Sequence, residues 1–161
     1  MFSSRSLFWY LIYHYSMLRL KATSEIPVLR TIMRLTLHTD YAFRVLMALA
    51  RAPGEVKSVD DLAREFEVSK NHLMKVAQNL TAGGFVTTVR GRHGGLRLAM
   101  APDEINLRAV ALHMEPDFNI ALCFGGEDCV FLPNCRLKGV LGQAKLAFLQ
   151  TLDKHNLASI L

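Results

Sequence analysis

Not one aspartate or glutamate occurs between Val68 and Pro102, although Lys70, Lys75, Arg90, Arg92 and Arg97 all fall there. The net charge of the 161-residue chain is only +5, so this acid-free window concentrates positive charge that the total understates. A polyanion would dock on such a segment. Cysteine is scarce as well: the chain has three, all between positions 123 and 135, and no Cys-x-x-Cys pair. Together with the lack of any substrate-pocket signature, that argues against a redox enzyme. Long apolar runs are missing too. The apolar, aromatic run Leu7–Tyr15 contains His14 and is far shorter than the roughly 20 residues that cross a bilayer. Ala22-Thr23-Ser24 is a poor cleavage site for a signal peptide. We therefore expect no membrane span and a cytoplasmic protein, with an interaction tail or membrane-surface contact left open for the first 32 residues. The length also excludes two independent enzyme domains, since a chain of this size buries one modest core with an appendage.

What is there divides into four stretches. Residues 1–32 look unlike the rest: Arg5, Arg19, Lys21 and Arg30 stand against Glu25, leaving only +2 of the charge to residues 33–161. We expect an N-terminal extension arising from an upstream start, with Met33 opening the functional protein. Residues 33–100 carry the pattern of a winged-helix DNA-binding domain. Residues 101–135 hold a connecting helix and the cysteine loop. Residues 136–161 form a dimerisation helix and tail. The expected fold class is mainly α, a winged helix-turn-helix with a small two-stranded wing and a long C-terminal helix.

The punctuation supports this division. Thr39 or Asp40 can cap a first helix whose Ala42, Val45, Leu46 and Leu49 follow helical spacing. Ser58-Val-Asp-Asp61 resembles a capping box for a second helix with Leu62, Ala63 and Phe66 inward. Ser69 caps a third, on which Leu73, Val76, Ala77 and Leu80 face the core before Gly83-Gly84 stops it. Its outer face would carry Lys70, Asn71, Lys75 and Gln78, the arrangement of a recognition helix in a major groove, and Ser69 and His72 join the candidates for DNA contact. Asn71 and Lys70 are the candidate base readers. Phe85–Val89 and Leu96–Leu98 read as strands flanking a glycine-rich tip, Arg90-Gly-Arg-His-Gly-Gly95. On it Arg92 can enter a minor groove, beside His93, while Lys75, Arg90 and Arg97 hold phosphates.

Asn106 can cap a fourth helix, closed by Glu115-Pro116. The cysteine loop begins there, and within it Cys123, Cys129 and Cys135 are evenly separated by five residues. Three thiolates are one ligand short of the four that iron-sulfur clusters and structural zinc require, so the last donor is another side chain or comes from a second subunit. After the loop, Leu137, Val140, Leu141, Ala144, Phe148 and Leu152 form one apolar stripe. A lone long helix of this kind needs a partner, and a homodimer reading two half-sites of double-stranded operator DNA supplies it.

Five motifs in order, Leu35–Arg44, Ser69–Val76, Arg90–Gly95, Glu115–Phe118 and Cys135–Lys138, together with the cysteine spacing, resemble the Rrf2 family of winged-helix regulators, nearest its nitric-oxide-sensing repressors. The resemblance covers nearly all of residues 33–161. It implies dimers in which Cys123, Cys129 and Cys135 hold an iron-sulfur cluster, four irons favoured and two possible. It also implies a carboxylate from the partner subunit, at the position of Asp40, as fourth ligand. Asp40 also reads as a plain helix cap, and His38 and His113 stand in reserve. The iron-sulfur-biogenesis regulators of the family use a histidine three residues after the last cysteine, where this chain has Lys138. A carboxylate is a hard donor for iron beside soft thiolates, which makes that corner open to nitric oxide. On this expectation the protein is no enzyme but a repressor that releases its operator when nitric oxide attacks the cluster. Three alternatives stay open: a regulator of iron-sulfur biogenesis, a cluster-free thiol-sensing repressor and a structural zinc site. Zinc modules favour closer cysteine pairs than these.

Overall fold

A computed structural model describes residues 34–161 apart from His93 and Pro133. The expectations for residues 1–32 and for His93 therefore lie outside the described residues. Three helices build the first layer: α1 (Leu37–Ala50), α2 (Val59–Glu65) and α3 (Lys70–Ala82). Both α1 and α2 pack on α3 through the stripes that their spacing predicts. Ala42, Val45, Leu46, Leu49, Leu62, Leu73, Val76 and Leu80 are all buried in one cluster.

Local chemistry sets each start. The Ser58 hydroxyl accepts the Asp61 N–H at 3.0 Å and donates to the Asp61 carboxylate at 2.6 Å, closing the expected box. That bond, followed by one from Arg64, holds the Asp61 carboxyl below its ordinary range. Glu67, at φ 55, turns the chain between α2 and α3 in a left-handed conformation. The start of α1 differs from expectation: its cap is Thr36, whose hydroxyl accepts the Thr39 N–H at 3.3 Å. Thr39 is fully buried inside the first turn, its hydroxyl 3.2 Å from that of Thr36, and Asp40 sits one position further along.

Strands β1 (Val86–Val89) and β2 (Gly95–Leu98) pair antiparallel, Val86 opposite Leu98 and Val89 opposite Gly95. Val86 and Leu96 point into the core. Lys57 adds a short third rung: its N–H donates to the Leu96 carbonyl at 3.0 Å and its carbonyl accepts the Leu96 N–H at 2.8 Å. Position 95 must be glycine because a Cβ there would press on the Lys57 carbonyl. The wing is thereby stapled to the segment that leads into α2.

Asn106 caps α4 (Leu107–Met114) by accepting the Ala109 N–H at 3.1 Å. A loop with one 3-10 turn at Leu122–Phe124 leads to α5 (Arg136–Asp153). The tail then returns to the core, which its sequence did not announce. The Leu157 N–H donates to the Ile105 carbonyl at 2.9 Å, the Leu107 N–H to the His155 carbonyl at 3.1 Å, and Leu157 is fully buried. The inward residue of α5 is Leu149, whereas Leu137, Val140 and Phe148 of the expected stripe are 62%, 61% and 43% exposed. Among the described residues no helix is long and apolar enough to cross a membrane.

Candidate nucleic-acid interface and cysteine loop

Helix α3 offers one polar face to solvent. Its cap, Ser69, accepts the His72 N–H at 3.3 Å, so that hydroxyl is committed to the helix. Lys70, an expected base reader, has its ammonium 2.8 Å from the Asp60 carboxylate of α2, an exposed pair between the two helices. Asn71, Lys75 and Gln78 are exposed, and His72 stands edge-on to Tyr41 with ring centroids 5.5 Å apart. Met74 lies on the same face at 40% exposure. Sequence reasoning passed over it, although an apolar residue that misses the core stripe of its helix is the signal that marks it.

On the wing Arg90, Arg92 and Arg97 are exposed. The Arg97 Nε donates across the strand pair to the Thr87 hydroxyl at 3.3 Å. Among the described residues no carboxylate pairs with Lys75, Arg90, Arg92 or Arg97. These four charges face solvent and are open to an outside anion such as a phosphate. Gly91, at φ 121, makes the tight tip that Arg92 follows.

The start of α1 is joined to two other elements by contacts the sequence does not reveal. The Thr36 N–H and hydroxyl both donate to Glu115 Oε1, at 2.7 and 3.2 Å, tying the helix cap to the residue where the cysteine loop begins. The Asn79 amide of α3 donates to His38 Nε2 at 2.9 Å, and His113 Nε2 donates to the Asn79 carbonyl at 2.8 Å. Burial, then the nearby His72, lowers the His38 pKa, which suits a ring that accepts a hydrogen bond in its neutral form. Both reserve ligands are thus engaged on the recognition helix. Asp40 forms a half-exposed ion pair with Arg44 at 2.9 Å.

Cys123, Cys129 and Cys135 are free thiols, each partly exposed. Cys135 occupies the cap position of α5 without making a side-chain cap bond, so its sulfur is uncommitted. Among the described residues no three His, Cys, Asp or Glu side chains come together as a metal-binding group. The loop shares all three sulfurs without gathering them, and Asp40 belongs to a different element. By donor chemistry the set still fits an iron-sulfur cluster: three soft, unbridged thiols on one short loop. Lys138, where a histidine would serve the alternative ligand set, lies 5.7 Å over the Phe124 ring.

The family model described as "Rrf2: Iron-dependent Transcriptional regulator" matches residues 35–161. The chain is 47% identical over 131 residues to the HTH-type transcriptional regulator NsrR of Bacillus subtilis, covering 80% of this chain and 90% of the relative. It is 42% identical over 132 residues to the NsrR of Halalkalibacterium halodurans, covering 80% and 90%. Among solved structures it resembles CymR, the global cysteine regulator of B. subtilis, with a TM-score of 0.66 at 21% identity, covering 80% of this chain and 96% of that one. T. potens IscR aligns with a TM-score of 0.62 at 22% identity, covering 80% and 85%. At those identities the two structures speak for the fold.

Proposed function

We propose, from the premise that this chain belongs to the Rrf2 family of transcriptional regulators, that it is a homodimeric repressor which holds an iron-sulfur cluster and frees its operator DNA in response to nitric oxide. Cys123, Cys129 and Cys135 would hold the cluster, with the partner subunit's Asp40 as fourth ligand. When bound, the cluster supplies iron to which nitric oxide binds. The observation that carries the proposal is a junction: the cysteine loop starts at Glu115, and Glu115 accepts two hydrogen bonds from the cap of the helix that bears Asp40.

The chain's own residues do the rest. Asp40 gives up only a half-exposed pair with Arg44 to become a ligand, and such pairs are worth about 0–1 kcal/mol. Since α1 also holds α3 through His38 and Asn79, fixing Asp40 fixes the recognition helix of the same subunit. A dimer places two such helices in successive major grooves only if they stand about 34–36 Å apart. A full reversal from bound to free needs a bias of about 5.5 kcal/mol between the two arrangements. Lys75, Arg90 and Arg97 supply the phosphate contacts, Arg92 enters the minor groove, and Asn71, with Lys70 beside it, reads a base edge.

The test is an anaerobic titration with nitric oxide, followed by absorbance and by gel-shift on the same sample. Visible absorbance and operator binding should fall together, and Cys129→Ala should lack both. A colourless, iron-free protein that still binds its operator fully would sink the proposal and leave a thiol-sensing repressor in its place.

A further inference from the structure

We propose that Met74 is a specificity-determining residue that reads thymine methyl groups in the major groove, an assignment that rests on the DNA-binding function proposed above. Isolated exposed apolar side chains are ordinary on protein surfaces. What distinguishes Met74 is its place. It stands 40% exposed on α3, three residues after Asn71 and four before Gln78, so one helical face presents amide, thioether and amide in succession. Lys75 lies next to Met74 on this face, and no acid occurs in the sequence between Val68 and Pro102.

A face turned towards base edges gains nothing from an apolar side chain unless the groove offers an apolar partner. In the major groove that partner is the C5-methyl group of thymine, the apolar mark among polar donors and acceptors. Methionine suits the task, being unbranched, polarizable and able to adapt to a small target. Asn71 can satisfy the donor and acceptor of an adenine on the same face, so the pair of side chains favours an A·T-rich element within each half-site.

The experiment uses the full chain, purified anaerobically, and a duplex selected by it from a random-sequence library. Each thymine in the half-sites is then replaced in turn by uracil, which removes one methyl group and leaves the hydrogen-bonding edge unchanged. At one or two positions per half-site the parent protein should bind about fourfold more weakly. Met74→Ala should bind the parent duplex more weakly but lose the distinction between thymine and uracil there, while Met74→Leu should keep it. Asn71→Ala should weaken binding and retain the distinction. If the parent protein ignores every uracil substitution, or if Met74→Ala keeps the whole penalty, the assignment is overturned while the DNA-binding function stands. If no duplex is selected at all, that function falls, and this assignment with it.

Discussion

The winged-helix region and the region beyond Leu122 treat their large apolar side chains in opposite ways. In the first, Leu46, Leu62, Leu73, Leu80 and Leu96 are each no more than 2% exposed, and the tail contributes a fully buried Leu157 to the same cluster. In the second, Leu122, Val130, Phe131, Leu137 and Val140 range from 61% to 92% exposed. A single subunit therefore completes one region and leaves the other unfinished. Exposed apolar side chains on one loop and one helix are what an interaction surface would use, and the three cysteines lie in the same region. Under the proposed function, the winged-helix region packs its core within one subunit, and the cysteine region would be completed by a second copy.

The contrast can be broken most directly by removing methyl groups. Leu46→Ala should cost about 2–5 kcal/mol of stability, read as a lowered urea midpoint, whereas Leu137→Ala, assayed at concentrations where subunits are separate, should stay within about 0.5 kcal/mol. Equal losses would mean that the Leu137 face of α5 is already packed within its own subunit. The converse experiment places charge on the stripe. Leu137→Asp with Val140→Asp should turn a dimer into a folded monomer on sedimentation and weaken operator binding on the order of a hundredfold, the usual scale for losing the second of two linked contacts. A doubly substituted protein that remains dimeric would move the interface elsewhere. Within the reading head, Arg92→Ala should lower affinity roughly tenfold and reduce the slope of affinity against salt by about 1. An unchanged slope would take that arginine off the DNA.

How far the sequence discloses each region follows from the range of the interactions that build it. The Ser58 box and the Ser69 cap are local, and both appear where the spacing places them. The polar outer face of α3 is equally local, since it is what remains when the core stripe is assigned. Contacts across long sequence distances are not legible in this way. Nothing near Lys70 indicates that Asp60 will hold it, and nothing near His38 or His113 indicates that both will converge on Asn79. Leu157 is read as part of a tail because its partners, Ile105 and the core beside α1, lie far upstream. The cysteines can be identified by type and spacing, but their assembly into a site depends on the fold of the loop and on a ligand from outside it.

Thr36 shows the same limit at a single residue and supports the smallest of the predicted effects. Thr36, Thr39 and Asp40 are all good cap residues by type, and local sequence cannot rank them. The choice falls to Glu115, 79 residues away, whose carboxylate accepts both the N–H and the hydroxyl of Thr36. The buried Thr39 then follows one turn into the helix. Thr36→Ala removes the cap and one of those two bonds, while the main-chain N–H still reaches Glu115; the expected cost is about 1 kcal/mol in stability. Thr36→Ser keeps the hydroxyl and should restore nearly all of it. Because this bond joins the reading head to the start of the cysteine loop, Thr36→Ala should also narrow the difference in operator affinity between protein before and after nitric oxide treatment. A variant with lower stability but an unchanged response would show that the joint serves only to start α1, and that the two regions communicate through another contact.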